Sequence, residues 1–324
     1  MRMRRPRHWL TVPVLLLAAC GNNHDGDPGS TPLDPATLCV SSTCGSKTAL
    51  LTIPDAENIL FTPSGRLFVS GGTNVFEVVA AAGGGYEALA IYDGSCNFTG
   101  LALRGNVLYA NCFDGQLYAA RLTAAPALAP IHALDLAAPN GLVDGPDGEL
   151  YLVNGPLATS ALPDPKIVRL RFDPADPFKV TEQIDWFSDG LLGPNGIQRR
   201  GRTLYVSNTG PGVLGEIRSV EIGADGAPGA SAQFASFDSI PDDFSVIGDY
   251  LLTSWYSNGQ IALIGPDGSV VQNTDPSSFD SPSQVRAGQP PLFEPTDLLV
   301  TEKGVIGESS SGNGDRLSVF RATP

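Results

Sequence analysis

One phrase recurs along this 324-residue chain, and it limits the fold more than any other feature. Pro194-Asn195-Gly196-Ile197 is followed by Gly201-Arg202-Thr203-Leu204-Tyr205-Val206-Ser207-Asn208. Pro139-Asn140-Gly141-Leu142 is followed by Asp147-Gly148-Glu149-Leu150-Tyr151-Leu152-Val153-Asn154. Glu57-Asn58-Ile59-Leu60 is followed by Ser64-Gly65-Arg66-Leu67-Phe68-Val69-Ser70. Each copy reads as a polar opening residue, a short apolar strand, a glycine turn and a second strand rich in Leu, Tyr and Val. Marking the polar or small residue that opens each unit gives Glu57, Thr99, Asn140, Asn195, Asp242 and Asp297, spaced 42, 41, 55, 47 and 55 residues apart.

In the second unit four strands are readable, Leu101–Leu103, Val107–Asn111, Gln116–Leu122 and Ile131–Leu136. Four strands in roughly 40–50 residues is the size of a propeller blade. Six openings therefore predict an all-β, six-bladed β-propeller over residues 46–324. The last unit offers only Leu298–Thr301, Val305–Ser309 and Arg316–Arg321. The N-terminal stretch Ala49–Ile53 is expected to complete that blade and close the ring, which removes exposed strand edges. A β-sandwich is the alternative, but its strands would not repeat one opening phrase. The 37 glycines and 27 prolines suit many short strands, and no helix is expected.

The first residues have a different texture. Arg2, Arg4, Arg5 and Arg7 precede an apolar run, Trp9–Ala19, too short for a comfortable membrane span. It ends Leu17-Ala18-Ala19-Cys20-Gly21, which resembles a bacterial lipobox. That resemblance implies cleavage after residue 19, lipidation of Cys20, and residence on the outer membrane, since Gly21 replaces the aspartate of inner-membrane retention. Residues 20–45 are expected to be a disordered spacer. Losing residues 1–19 removes four arginines and no acid, so the formal charge moves from −14 to −18. Such acidity argues against nucleic acid and anionic lipid as partners, and leaves the lipid as the only membrane contact. The domain is expected to be a monomer.

Cys39, Cys44, Cys96 and Cys112 remain, and four cysteines in an exported chain can pair in three ways. Cys39 with Cys44 and Cys96 with Cys112 is the preferred pairing; free buried thiols are the alternative. The spacing does not suit structural zinc.

The chemistry narrows by subtraction. His8 and His24 precede the folded region, and His132 lies on an expected outer strand. Histidine-rich zinc sites and most Ser-His-Asp arrangements are thereby disfavoured. No nucleophile elbow, P-loop or dinucleotide fingerprint is present. Oxygen donors at equivalent blade positions remain. Residues entering the innermost strands converge on a propeller axis, so Glu57, Asn140, Asn195 and Asp242 should meet there, with Asp243 as a possible fifth donor. Such a hard, oxygen-only set suits calcium. Each residue alone also has a plainer reading, because Asn-Gly is a common turn pair and Asp or Asn can cap a strand.

On these phrases the chain resembles the six-bladed calcium-dependent propellers that include gluconolactonase, regucalcin, paraoxonase and strictosidine-synthase-like proteins. Asp55-Ala56-Glu57-Asn58-Ile59 is similar to the family's acidic ligand phrase. Asn140-Gly141-Leu142 and Pro194-Asn195-Gly196-Ile197 are similar to its asparagine phrases, and Pro241-Asp242-Asp243-Phe244-Ser245 to its aspartate phrase. The resemblance implies a calcium ion at the top of the channel and hydrolysis of lactones or related esters, with Asp242 also acting on water. The paraoxonase histidine positions fall near Thr99 and Cys112, so the gluconolactonase pattern, which needs no histidine, is the one implied. A tethered propeller that binds a small ligand or protein without catalysis is the rival reading. A carrier of sugar or quinone redox chemistry is weaker, for want of a cofactor motif.

Overall fold

A computed structural model describes residues 33–155, 162–211, 215–305 and 314–323. Six four-stranded antiparallel sheets follow one another along the chain. The innermost strands are Ile59–Phe61, Phe98–Arg104, Pro139–Asp144, Pro194–Arg200, Pro241–Ile247 and Pro282–Ala287, which open blades one to six. No α-helix occurs among the described residues; two short 3-10 turns are present.

Strand alternation explains how the blades stack. In Leu150–Asn154, Leu150 and Leu152 pack with Tyr109, Leu117 and Leu142 in the core between blades two and three. Tyr151 and Val153 point the other way, into the core with Ile197, Leu204 and Val206 of blade four. Side chains two apart share a face, and here both faces are covered. That is why these strands read as continuous apolar runs rather than alternating ones.

Blade six differs from its expected composition. Its inner strand is Pro282–Ala287, Leu298–Glu302 is its second strand and Arg316–Ala322 its third, and Gly45–Thr52 pairs with Arg316–Ala322 on the outside. Asp297 is therefore not a blade opening. It accepts two 2.9 Å hydrogen bonds from Arg321 at the foot of the second strand. Val305 lies outside any strand, and most of the expected strand Val305–Ser309 falls outside the described residues.

The packed chain also begins before residue 46. Leu38 and Val40 are buried against Leu252, Ile261 and Leu263 of blade five and Val285 and Leu298 of blade six. The Val40 amide donates to Gln272 Oε1 at 3.1 Å. Two apolar side chains and one paired amide hold this segment on the propeller, which a composition-based spacer does not capture. Cys39 is bonded to Cys44 and Cys96 to Cys112. Residues 1–32, with the signal stretch and Cys20, lie outside the described residues.

Candidate functional site

Each inner strand from blade two onward enters through a β-bulge. The register shifts between Phe98 and Leu101, Pro139 and Leu142, Pro194 and Ile197, Pro241 and Phe244, and Pro282 and Gln284. A bulge sets one extra residue against the partner strand and re-aims its side chain. The residues so placed are Thr99, Asn140, Asn195, Asp242 and Ser283, with Glu57 at the corresponding point of blade one.

A polar residue on the second strand locks most of these entries. Ser207 Oγ accepts from the Gly196 amide at 2.7 Å and donates to the Asp242 carbonyl of the next blade. Ser70 does the same for the Asn58 amide and the Thr99 carbonyl, and Thr301 for the Gln284 amide and the Glu57 carbonyl. Ser254 Oγ lies 2.6 Å from the Ser283 carbonyl, and Asn111 Nδ2 donates to the Asn140 carbonyl at 2.8 Å. Five second strands thus grip the backbone of the following blade at its site residue. The exception is blade three, where apolar Val153 stands, so the Asn195 carbonyl receives no such clamp.

The bulge ring brings Glu57 and Asp242 together across 185 residues of sequence. Both are buried, and both reach one hydroxyl: Ser283 Oγ lies 2.8 Å from Glu57 Oε2 and 2.9 Å from Asp242 Oδ2. One hydroxyl proton can serve only one of them. Lys303 Nζ contacts the same Glu57 oxygen at 3.0 Å. Burial pushes the Asp242 carboxyl well above the usual carboxylate range and Glu57 adds to the rise, while Lys303 and the Ser283 hydroxyl oppose it. Burial pulls the Lys303 ammonium down, but Glu57 and Asp242 more than offset this and hold it above the ordinary lysine value. With both acids ionised and the lysine charged, one negative charge is left over. A proton on Asp242 or a cation can neutralise it.

Among the described residues, Asn195 Oδ1 is buried with no hydrogen-bond partner. A buried acceptor left unpaired is costly, so this atom fits a ligand. Asn140 is half-buried at the equivalent bulge of blade three. Thr99, by contrast, donates to the Pro139 carbonyl at 2.9 Å and accepts from Asn111.

Asp243 is occupied elsewhere. Oδ1 accepts from the Phe244 amide at 2.7 Å and Gln198 Nε2 at 3.3 Å, and Oδ2 accepts from Asn58 Nδ2 and from Gln284 Nε2 at 2.8 Å. Burial pushes its pKa up to about 7 against these donors and Arg286. It forms the centre of an amide network beneath the bulge ring, and a role as a fifth donor would require breaking it.

Sequence reasoning also missed Ser283 and Lys303. Ser283 could have been found, because Pro282-Ser283-Gln284-Val285 keeps the spacing of Pro194-Asn195-Gly196-Ile197 and lies 41 residues after Asp242. Lys303 follows Thr301 by two, a position held by Gly72, Phe113, Gly155, Thr209 and Tyr256 in the other blades, so no repeat announces it. His132 takes no part: its Nε2 pairs with Gln183 at 2.9 Å on the outer strands. Among the described residues, the one cluster of three or more His, Cys, Asp or Glu ligand atoms is Cys96, Cys112 and Asp114, whose two sulfurs are already bonded to each other.

No family model and no curated protein sequence matches the chain. Solved structures do. A gluconolactonase from Xanthomonas campestris superposes with a TM-score of 0.63 at 20% identity, over 86% of this chain and 90% of that one. A calcium-binding regucalcin from Agrobacterium tumefaciens gives 0.63 at 17%, over 86% and 93%. The PQQ-bound aldose sugar dehydrogenase of Streptomyces coelicolor gives 0.58 at 15%, over 86% and 98%. The fold of this chain is thus the six-bladed β-propeller of the gluconolactonase and regucalcin structures.

Proposed function

We propose that the top of the axial channel is a calcium site serving hydrolysis of a lactone or related ester. The observation that carries this reading is the orphaned Asn195 Oδ1, in the same bulge ring as two buried carboxylates that share one hydroxyl. These donors fit a hard cation: Glu57, Asn140, Asn195 and Asp242 would hold it. When bound, calcium supplies Lewis acidity toward a carbonyl oxygen and the oxyanion that develops there. Ser283 orients the two carboxylates. Asp242 would take a proton from water at this ring; pairing with a cation would lower its proton affinity, keeping it ionised but making it a weaker base. Lys303 fixes one Glu57 oxygen. The likeness to a gluconolactonase and to a calcium-binding regucalcin supports this reading at the level of fold. The chain would act as a monomer tethered through lipidated Cys20, facing the periplasm or the cell surface.

A second reading is favoured by Lys303. An internal ammonium on Glu57 already supplies part of the charge a metal would bring. The propeller would then bind its ligand at the same ring without calcium and without turnover.

Thermal unfolding with calcium and with chelator separates the two. The calcium reading expects a higher midpoint with calcium, a gain lost in Asn195→Ala, together with calcium-dependent hydrolysis of aldonolactones or aryl esters. An unchanged midpoint and no turnover across the panel would leave the binding module. Mass spectrometry of the membrane fraction tests the modification of Cys20.

A further inference from the structure

The inner strands run from the bulge ring to the opposite face, and their far ends enclose a second cavity of about 390 Å³. Its wall is more polar than apolar: Thr62, Asp144, Gln198 and Gln289 line it beside Leu60 and Val246. Two arginines reach it, and they differ. Arg199 is fully engaged: Nη2 donates to Asp144 Oδ2 at 2.6 Å, Nε to the Asp144 carbonyl at 2.7 Å and Nη1 to the Gly201 carbonyl at 2.7 Å. Among the described residues, Arg286 has a single long hydrogen bond, from Nη2 to Gln198 Oε1 at 3.4 Å. Its Nε is buried with no partner, and no carboxylate lies within ion-pair distance of it among the described residues.

A guanidinium presents five donors in a planar fork, and burying it unpaired is expensive. Asp243 lies on the axis side of Arg286, but four amide donors already occupy its oxygens, so it attracts the arginine without pairing with it. Burial correspondingly lowers the Arg286 pKa, with Asp243 and Asp144 opposing. Arg286 thus lines the cavity with donors to spare. A singly charged anion matches its single positive charge. A dianion matches less well, because a single guanidinium supplies one positive charge and the whole chain is acidic.

We propose that the far end of the channel binds a small organic monocarboxylate, its carboxylate paired with Arg286. The volume is within the range of small-ligand pockets, and a carboxylate matches the guanidinium fork bidentately. This site is separate from the bulge ring and does not depend on the calcium reading.

Hexanoate and benzoate are the probes, titrated calorimetrically into the full chain. Saturable binding is expected, weakened about tenfold or more in Arg286→Met and retained within about tenfold in Arg286→Lys. Hexanol, with the same body and no charge, should bind the native protein at least about tenfold more weakly than hexanoate. Circular dichroism and the thermal midpoint report whether each variant is folded; the lysine variant keeps the test decisive if the methionine variant is not. Absence of saturable hexanoate and benzoate binding, equal binding to a folded Arg286→Met protein, or binding of sulfate as tight as that of hexanoate would each overturn the proposal.

Discussion

Blades two, three and four carry glycine at the second position of the inner-strand entry, Gly100, Gly141 and Gly196, whereas blades one, five and six carry Asn58, Asp243 and Gln284. The two halves of the ring solve the same crowding problem differently. On the glycine side the next blade's backbone takes the space: a Cβ on Gly100 would sit 2.4 Å from the Asn140 carbonyl oxygen, and one on Gly141 2.6 Å from that of Asn195. On the other side, side chains fill the axis and bond to one another, Asn58 and Gln284 to Asp243, with Gln284 Oε1 accepting from the Ile59 amide at 2.6 Å. The plug they form lies between the bulge ring and the far cavity. The glycines are not turn residues. None of the three is among the positive-φ positions, and all lie within strands. Their role is close approach, which a reading of Asn-Gly as a turn pair misses.

At a fixed pH, a large effect should come from adding a methyl group on the glycine side. Gly141→Ala places a Cβ against the Asn195 carbonyl and, at 2.7 Å, the Ile197 amide nitrogen. Both are backbone atoms of a strand paired within its sheet and cannot swing aside. A loss of roughly 3 kcal/mol in urea unfolding is expected. Gly83→Ala, in open space at a hairpin, should change stability by less than about 0.5 kcal/mol. Similar losses in the two variants would remove the packing argument for this half of the ring.

The side-chain half is open to pH. Asp243 titrates near 7 in the folded chain against an ordinary value of 3.8, because burial disfavours its charge. A carboxyl with a raised folded pKa stabilises most below its unfolded value, and that contribution disappears as pH rises through the folded one. Relative to Asp243→Asn, the cation-free wild type should therefore lose on the order of 4 kcal/mol between pH 4 and pH 8. Comparing the two proteins at each pH cancels the titrating groups that do not interact with Asp243. A constant difference across that window would mean that the amide donors already hold Asp243 ionised.

The clamps come next. Thr301→Val keeps the shape but removes the hydroxyl between the Gln284 amide and the Glu57 carbonyl. A loss of about 1–2 kcal/mol is expected, with a comparable loss for Ser207→Ala, measured by denaturant unfolding. Losses indistinguishable from zero in both would show that solvent replaces the clamps freely.

These contrasts also explain what could be read from sequence. Five of the six openings are legible because Glu57, Thr99, Asn140, Asn195 and Asp242 recur at blade spacing ahead of apolar strands. The sixth hides for a physical reason. Ser283-Gln284 carries neither Asn nor Asp, and the ten-residue connection from Gly288 to Asp297 is long beside the two to five residues used in the other blades. That loop imitates a blade boundary and lends Asp297 a role it does not have. The pairing of Glu57 with Asp242 follows from ring symmetry, but Lys303 does not, since it breaks the symmetry. Whether Asp243 faces the ion or the plug depends on Asn58 and Gln284 from distant blades, information that a local phrase does not contain.

The smallest effect tests the one gap in the clamp ring. Val153 occupies the register position of Ser207, opposite the entry bulge of its blade, and is buried among Tyr151, Ile197 and Val206. Val153→Thr preserves a methyl group for that core and adds a hydroxyl where Ser207 carries one. If the Asn195 carbonyl is within its reach, the hydroxyl is satisfied, and stability should stay within about 0.5 kcal/mol of the wild type. If it is not, a buried hydroxyl without a partner should cost about 1–3 kcal/mol in denaturant unfolding. The first result would make blade three a member of the same clamp geometry with one residue changed. The second would mean that the Asn195 bulge is set differently from the others, and would tie its orphaned Oδ1 to that difference rather than to a ligand.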